Sequence, residues 1–173
     1  MAHAAPRHVR RYTARVQWER LSDSAAWLAA IVENSDDAIF GTDLRGIVTS
    51  WNPAAERMFG YRAAEVIGQP NTLTIPEDRR REEDEVLERA RRGERTQSLE
   101  TVRRAKNGRL VDVSLAVSPV RDAKGDVVGA SRIARDISAR KRAAEALRQS
   151  EATAQALIES AAEGILIVDD RGR

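Results

Sequence analysis

Asp37-Ala-Ile-Phe-Gly-Thr-Asp43-Leu-Arg-Gly46-Ile-Val-Thr-Ser-Trp51-Asn52-Pro53 is the stretch on which the reading of the chain turns. Asp37–Asp43 and Ile47–Trp51 are short runs carrying β-branched and aromatic residues. The segment Asp43-Leu-Arg-Gly46 between them predicts a tight turn joining paired strands. Asn52 followed by Pro53 predicts an immediate helix start, with a side-chain cap and then a proline whose missing N–H costs nothing in the first turn. Gly60 closes that helix early.

Upstream of this stretch, Ser22 or Asp23 is suited to cap a helix through Ala25–Val32, on which Trp27, Leu28, Ile31 and Val32 form one apolar stripe. Residues 1–21 are Arg-rich and aperiodic and read as a flexible basic tail. Downstream, Arg62–Gln69 reads as a short helical stretch, and Pro76 opens a longer helix, Glu77–Arg92, ended by Gly93. Its blocks of alternating charge predict a solvated face. Three strands follow: Glu94–Ala105, then Arg109–Val120 after the Lys106-Asn-Gly108 hairpin signal, then Val127–Arg135 after Asp122-Ala-Lys-Gly-Asp126. From Ser138 an Ala/Arg/Glu-rich helix continues to about Ala161.

The chain also repeats its own beginning. Ile31–Gly46 aligns without a gap on Leu157–Gly172, and Glu33, Ile39, Asp43, Arg45 and Gly46 recur as Glu159, Ile165, Asp169, Arg171 and Gly172. Identity at five offsets favours a true repeat over two generic segments. The expected organisation is a tail (1–21), a flanking helix (22–34), a folded domain (35–137), a connecting helix (138–161) and the truncated start of a second domain (162–173).

Composition narrows the chemistry. The chain has 173 residues, 42% hydrophobic and 32% charged, with a formal net charge of +2 from 29 basic and 27 acidic side chains. That is one domain with a mixed charged surface, and aromatics at 4% argue against a base-stacking platform. Nucleic-acid binding through the Arg7–Arg20 tail is a weak alternative. Cysteine is absent, which excludes disulfides, thiolate catalysis and cysteine metal sites. Both histidines, His3 and His8, sit in the tail, so no metal site and no Ser–His relay is expected in the folded body. With no membrane-length apolar run and no secretory pattern, the expected location is the cytoplasm.

In order and spacing, Ile39–Thr42, Trp51-Asn-Pro-Ala-Ala-Glu56, Phe59-Gly-Tyr61, Glu65-Val-Ile-Gly68, Ile75-Pro-Glu-Asp78, Lys106-Asn-Gly108, Val117-Ser-Pro-Val120 and Arg135-Asp-Ile-Ser138 resemble a PAS domain, a sensory module common in bacterial signalling proteins. The resemblance covers about Leu28–Ser138. It implies an α/β (α+β) fold: a five-stranded antiparallel sheet, short helices over one face around a small cavity, and a signalling helix leaving after the last strand. It implies a signal-transduction role in a longer protein, a sensor histidine kinase being the commonest parent. No kinase motif or catalytic constellation is present, so this chain is not expected to be an enzyme.

Haem sensing in such modules needs a histidine that Glu77–Arg103 lacks, and covalent chromophores need a cysteine. No cofactor is therefore expected. The alternative is a flavin photosensor or redox sensor, with Trp51 stacking on the ring and Asn52 bonding it, although Trp51 equally suits a core position and Asn52 a helix cap. By resemblance to haem-binding relatives, Val113, Leu115 and Val117 are pocket positions; the same face also describes a filled core. Alternation groups Val128, Ala130, Arg132 and Ala134 on one face of the last strand. Arg132 is then either a buried cation needing a carboxylate or bound anion, or a surface arginine, and the rarity of buried arginine favours the surface.

Asp136 or Ser138 is suited to cap the exit helix, and by resemblance Asp136 couples sheet to helix. Homodimerisation through the flanking helices is expected from Trp27, Leu28 and Ile31 on the first, and from Leu147 and Ile158 in a seam on the last.

Overall fold

The structure is a computed structural model that describes the backbone of residues 21–169 and the side-chain surroundings of residues 24–160. The elements are α1 (Leu21–Glu33), β1 (Ala38–Asp43), β2 (Val48–Trp51), α2 (Pro53–Phe59), α3 (Ala63–Val66), α4 (Arg80–Arg91), β3 (Thr96–Arg104), β4 (Leu110–Arg121), β5 (Val127–Asp136) and α5 (Ser138–Asp169). One-turn 3₁₀ segments at Asn71–Thr74 and Glu77–Arg79 lead into α4.

The deciding stretch folds as its residues dictate. Asp43 accepts hydrogen bonds from the backbone N–H groups of Arg45 and Ile47, which closes the β1–β2 turn. Asn52 caps α2, and Gly60 ends it in the left-handed region at φ 76°. The five strands form one antiparallel sheet in the order β2-β1-β5-β4-β3. Side chains alternate across it, so Phe40, Val111, Val113, Leu115, Val117, Ala130 and Ala134 share one buried face with Ala55 and Phe59 of α2, Val66 of α3 and Val86 and Ala90 of α4. Phe40, Trp51 and Phe59 meet in an aromatic trio with centroids 4.9–6.3 Å apart.

Gly129 permits the tight β1–β5 approach, because a Cβ there would lie 2.4 Å from the Thr42 carbonyl oxygen. A bulge between Thr96 and Leu99, with Ser98 at φ 48°, lets β3 turn both of those residues towards the core.

Several boundaries differ from the sequence expectation. Ser22 and Asp23 lie inside α1, not ahead of it; acidic and small polar residues suit a first turn as well as a cap. The stretch Arg62–Gln69 keeps only one turn of α-helix, because Gly68 and Gln69 are drawn into backbone hydrogen bonds with Val48. The expected helix Glu77–Arg92 divides into a 3₁₀ turn and α4. Helix α5 continues past the expected end near Ala161 to Asp169 and takes in residues 164–169, which the internal alignment sets opposite β1. The basic tail over residues 1–20 and the last four residues lie outside the described part.

Candidate functional site

Val113, Leu115 and Val117 point into the core and are fully buried, packed with the aromatic trio and the helices. Trp51 is buried beside them at the end of β2, and its indole N–H donates to the Tyr61 carbonyl at 3.2 Å. The Asn52 side chain is saturated. Its Oδ1 accepts from the Ile39 and Ala55 N–H groups, both at 2.9 Å, and its Nδ2 donates to the carbonyls of Val32 (2.9 Å) and Asp37 (3.1 Å). One side chain thereby ties the end of α1, the start of β1 and the start of α2.

Arg132 is not on the surface. It is 0% exposed, facing Phe40 of β1 and Val117 of β4. Its Nη2 lies 2.5 Å from Oε1 of Glu83. This overturns the surface setting of Arg132; Glu83 is itself buried, on the face of α4 opposite its solvated one. The reason is a stripe: Glu83, Val86, Leu87 and Ala90 recur at helical spacing and all face the sheet. That spacing is the signal in the sequence that marks Glu83.

Arg103, buried on β3, closes the cluster. Its Nη2 lies 3.6 Å from Glu83 Oε2, and its Nη1 donates to Glu82 Oε1 at 3.2 Å. Glu82 Oε2 accepts from the Thr101 hydroxyl at 3.0 Å, and Asn71 Nδ2 donates to Glu83 Oε1 at 3.2 Å. Desolvation pulls the Arg103 pKa down, while Glu83 and Glu82 hold it up.

At the other end of β5 the strand passes into α5. The Ser138 N–H donates to Asp136 Oδ1 at 2.8 Å, so Asp136 supplies the first acceptor of the new helix, and Ser138 is its first residue. Burial pushes the Asp136 carboxyl up, but hydrogen bonds from the Ser138 hydroxyl and N–H, with the fields of Arg109 and Arg142, leave it below the ordinary value. Ile137 donates its N–H to the Asp112 carbonyl, and Lys141–Asp112 (2.7 Å) and Arg140–Glu100 (2.6 Å) fasten the first turn of α5 to β4 and β3. Arg135 grips Asp37 through Nε and Nη2 at 2.7–3.2 Å, which joins the end of β5 to the link between α1 and β1. The sequence carries no local sign of these partners, because Arg135 and Asp37 meet only through the β1–β5 pairing.

The expected dimer residues are exposed: Trp27 58%, Leu28 55%, Ile31 49%, Leu147 60% and Ile158 70%. Leu28 and Val32 also border a groove of about 550 Å³ shared with Ile39, Trp51, Pro53 and Ala63. The α1 stripe is therefore not sealed onto its own sheet. Among the described residues no group of three or more histidine or acidic side chains is placed to hold a metal ion, and no helix is long and apolar enough to cross a membrane.

Comparison with known proteins places this arrangement. The family described as the PAS fold matches residues 27–137. The signal transduction histidine-protein kinase AtoS of Escherichia coli (strain K12) is 32% identical over 121 residues, which are 70% of this chain and 19% of that protein. The chain thus spans about a fifth of the length of this curated relative. The crystal structure of the PAS domain of a protein from Colwellia psychrerythraea superposes with a TM-score of 0.60 at 30% identity, over 67% of this chain and 98% of that one. An RNA-binding light-oxygen-voltage receptor superposes with a TM-score of 0.62 at 20% identity, over 89% of this chain and 42% of that one, which is a likeness of fold alone.

Proposed function

Since the chain belongs to the PAS fold family, we propose that this sensory domain dimerises through α1 and α5 and relays the state of its core or interface along α5 to an output domain, a histidine kinase by likeness to its relative. The observation that carries the relay is the β5–α5 junction. One strand leaves the buried Arg132–Glu83 pair, passes the Asp37–Arg135 pair and becomes a helix whose first turn is bonded to β3 and β4. A displacement of β5 has no slack in which to dissipate before it reaches α5. The exposed apolar residues of α1 and α5 support pairing of two copies.

In this reading catalysis belongs to the output domain, the module works in the cytoplasm, and it needs no cofactor. The flavin alternative rests on Trp51 and Asn52. The Asn52 side chain already meets four backbone partners, and Trp51 is committed to the aromatic trio. The purified protein is expected to be colourless.

The test fuses the chain to a histidine-kinase core and measures autophosphorylation with α5 intact, lengthened by two residues, or lengthened by seven. Two residues rotate the output by about 200°, whereas seven restore the helical phase. A changed activity that returns with seven residues is the expected result. Indifference to both insertions, or a monomer by light scattering at micromolar concentration, would overturn the relay or the dimer respectively.

A further inference from the structure

The turn between β3 and β4 joins an asparagine to a glycine in open solvent. Of the four asparagines in the chain, Asn107 alone is followed by glycine. Residues 106–109 form the exposed tip of the hairpin, and Gly108 sits in the left-handed region at φ 84°. With no side chain on Gly108, nothing shields its backbone nitrogen from the Asn107 side chain that precedes it.

The four side-chain amides also differ in how they are held. Asn52 Nδ2 donates to the carbonyls of Val32 and Asp37, Asn71 Nδ2 to Glu83, and Asn34 Nδ2 to the Ala30 carbonyl at 2.7 Å. Asn52 and Asn71 are buried as well, and Pro53 presents no N–H behind Asn52. Asn107 Nδ2 makes no hydrogen bond among the described residues, while its Oδ1 accepts from the Arg109 N–H at 3.0 Å. That bond draws electrons away from Cγ and leaves the amino group in water.

We propose that Asn107 is a self-modifying site, at which the folded chain deamidates to aspartate and isoaspartate. The Gly108 nitrogen loses its proton to hydroxide and bonds to Asn107 Cγ. The Cγ–Nδ2 bond breaks, and Nδ2 leaves as ammonia with a proton from water. Water then opens the cyclic imide at either carbonyl, and nothing is oxidised or reduced. One opening gives aspartate, which keeps an acceptor for the Arg109 N–H. The other reroutes the backbone through the side chain and adds a methylene to the turn. That extra length disturbs the turn that sets the Arg104–Leu110 pairing and the bonds from Lys106 and Arg109 to the carbonyls of Phe59 and Met58. The strands it joins are those that the first turn of α5 grips through Glu100 and Asp112. The site stands beyond the sensory reading and does not depend on it.

The test incubates the whole chain at pH 8, folded in buffer and unfolded in urea, and then digests it with a glutamate-specific protease. The peptide over residues 101–145 contains Asn107 and no other asparagine or glutamine. The mass gain from exchanging NH2 for OH in that peptide therefore reports this residue, and an isoaspartyl methyltransferase counts the isoaspartate. Conversion in the folded chain is expected to run ahead of Asn34, Asn52 and Asn71. It should be about tenfold slower than in urea, because the Gly108 N–H must give up its bond to the Ala105 carbonyl. The isoaspartate fraction should unfold a few degrees below the fresh chain, while Asn107→Asp unfolds with it. Conversion confined to urea, or Asn34 converting first in the folded chain, would overturn the site. An aged chain rich in isoaspartate with an unmoved midpoint would overturn the effect on the turn.

Discussion

Arg132 and Arg135 leave β5 on opposite faces and each meets a carboxylate, one at 2.5 Å and the other at 2.7 Å. The Arg132 side chain is 1% exposed and its partner Glu83 7%, whereas Arg135 is 70% exposed and Asp37 22%. Two pairs of like chemistry on one strand are therefore different devices. The inner pair has given up its hydration and fixes α4 against the sheet; removing Glu83 strands Arg132, whereas removing Arg132 leaves Glu83 with Arg103. The outer pair remains in water, adds little free energy, and works by its position, tethering the end of β5 to the segment that follows α1. The contrast teaches that burial, not bond length, decides whether an ion pair is a fixture or an adjustable link.

The sharpest way to break this contrast is Glu83→Ala. It leaves Arg132 without its carboxylate and Arg103 with Glu82 alone, and it is expected to cost about 3–5 kcal/mol in urea denaturation. The double variant Glu83→Leu with Arg132→Met should recover most of that loss, because the penalty comes from the stranded charge and not from the missing attraction. A loss below about 1 kcal/mol for Glu83→Ala would mean that the inner pair is hydrated like the outer one.

Next in size is Asn52→Ala. The cap alone is worth about 1 kcal/mol, and the Ile39 N–H would also lose its side-chain acceptor. A total of about 2–4 kcal/mol is expected. Proteolysis should report α1 detaching first, since Asn52 Nδ2 bonds the Val32 carbonyl at the end of that helix. A loss of about 1 kcal/mol with α1 still protected would reduce Asn52 to a plain cap.

These two residues mark what could and could not be read from the chain. Asn52 before Pro53, the Asn107-Gly108 turn and the alternation of Val111, Val113, Leu115 and Val117 are local signals, and each corresponds to the observed cap, hairpin or buried face. Alternation on β5 sorted residues into two sets but carried no sign of which set turns inward, because alanine, serine and glycine suit either side. The rarity of buried arginine favours the surface for Arg132, and the structure shows the other alternative, a buried cation with its carboxylate. Glu83 was hidden by its surroundings: the charged run Arg79–Glu85 masks a stripe that resolves only when Glu83 is read together with Val86, Leu87 and Ala90. The ties of Arg135 to Asp37 and of Lys141 to Asp112 depend on strand order and on where α5 leaves the sheet. No window of sequence contains that information.

At the junction itself the effect should be smaller. Asp136→Ala removes the acceptor of the Ser138 N–H and is expected to cost about 1 kcal/mol, leaving the sheet folded. Its value lies in output: in the kinase fusion it should weaken the dependence of autophosphorylation on the phase of α5. Unchanged regulation at near wild-type stability would leave Asp136 as a cap without a part in signalling.

The smallest effect belongs to the outer pair and is best seen in its pH dependence. Hydrogen bonds from Arg135 lower the Asp37 carboxyl below its ordinary value, against a partial desolvation that raises it, with the charge of Arg135 adding to the lowering. A carboxyl whose folded pKa lies below its unfolded one, about 3.9 for aspartate, binds its proton more readily when the chain is unfolded. Its contribution to stability is therefore fully present above that unfolded value and disappears as pH falls through the lower folded one. Asp37→Asn should cost less than about 1 kcal/mol at pH 7, because the pair is exposed on the arginine side. The stability curves of wild type and variant should run parallel above about pH 5 and converge in acid. Curves that stay equally separated down to pH 2 would show that the Asp37 carboxyl contributes by packing and not by charge. The outer pair would then no longer stand as the hydrated counterpart of Glu83–Arg132.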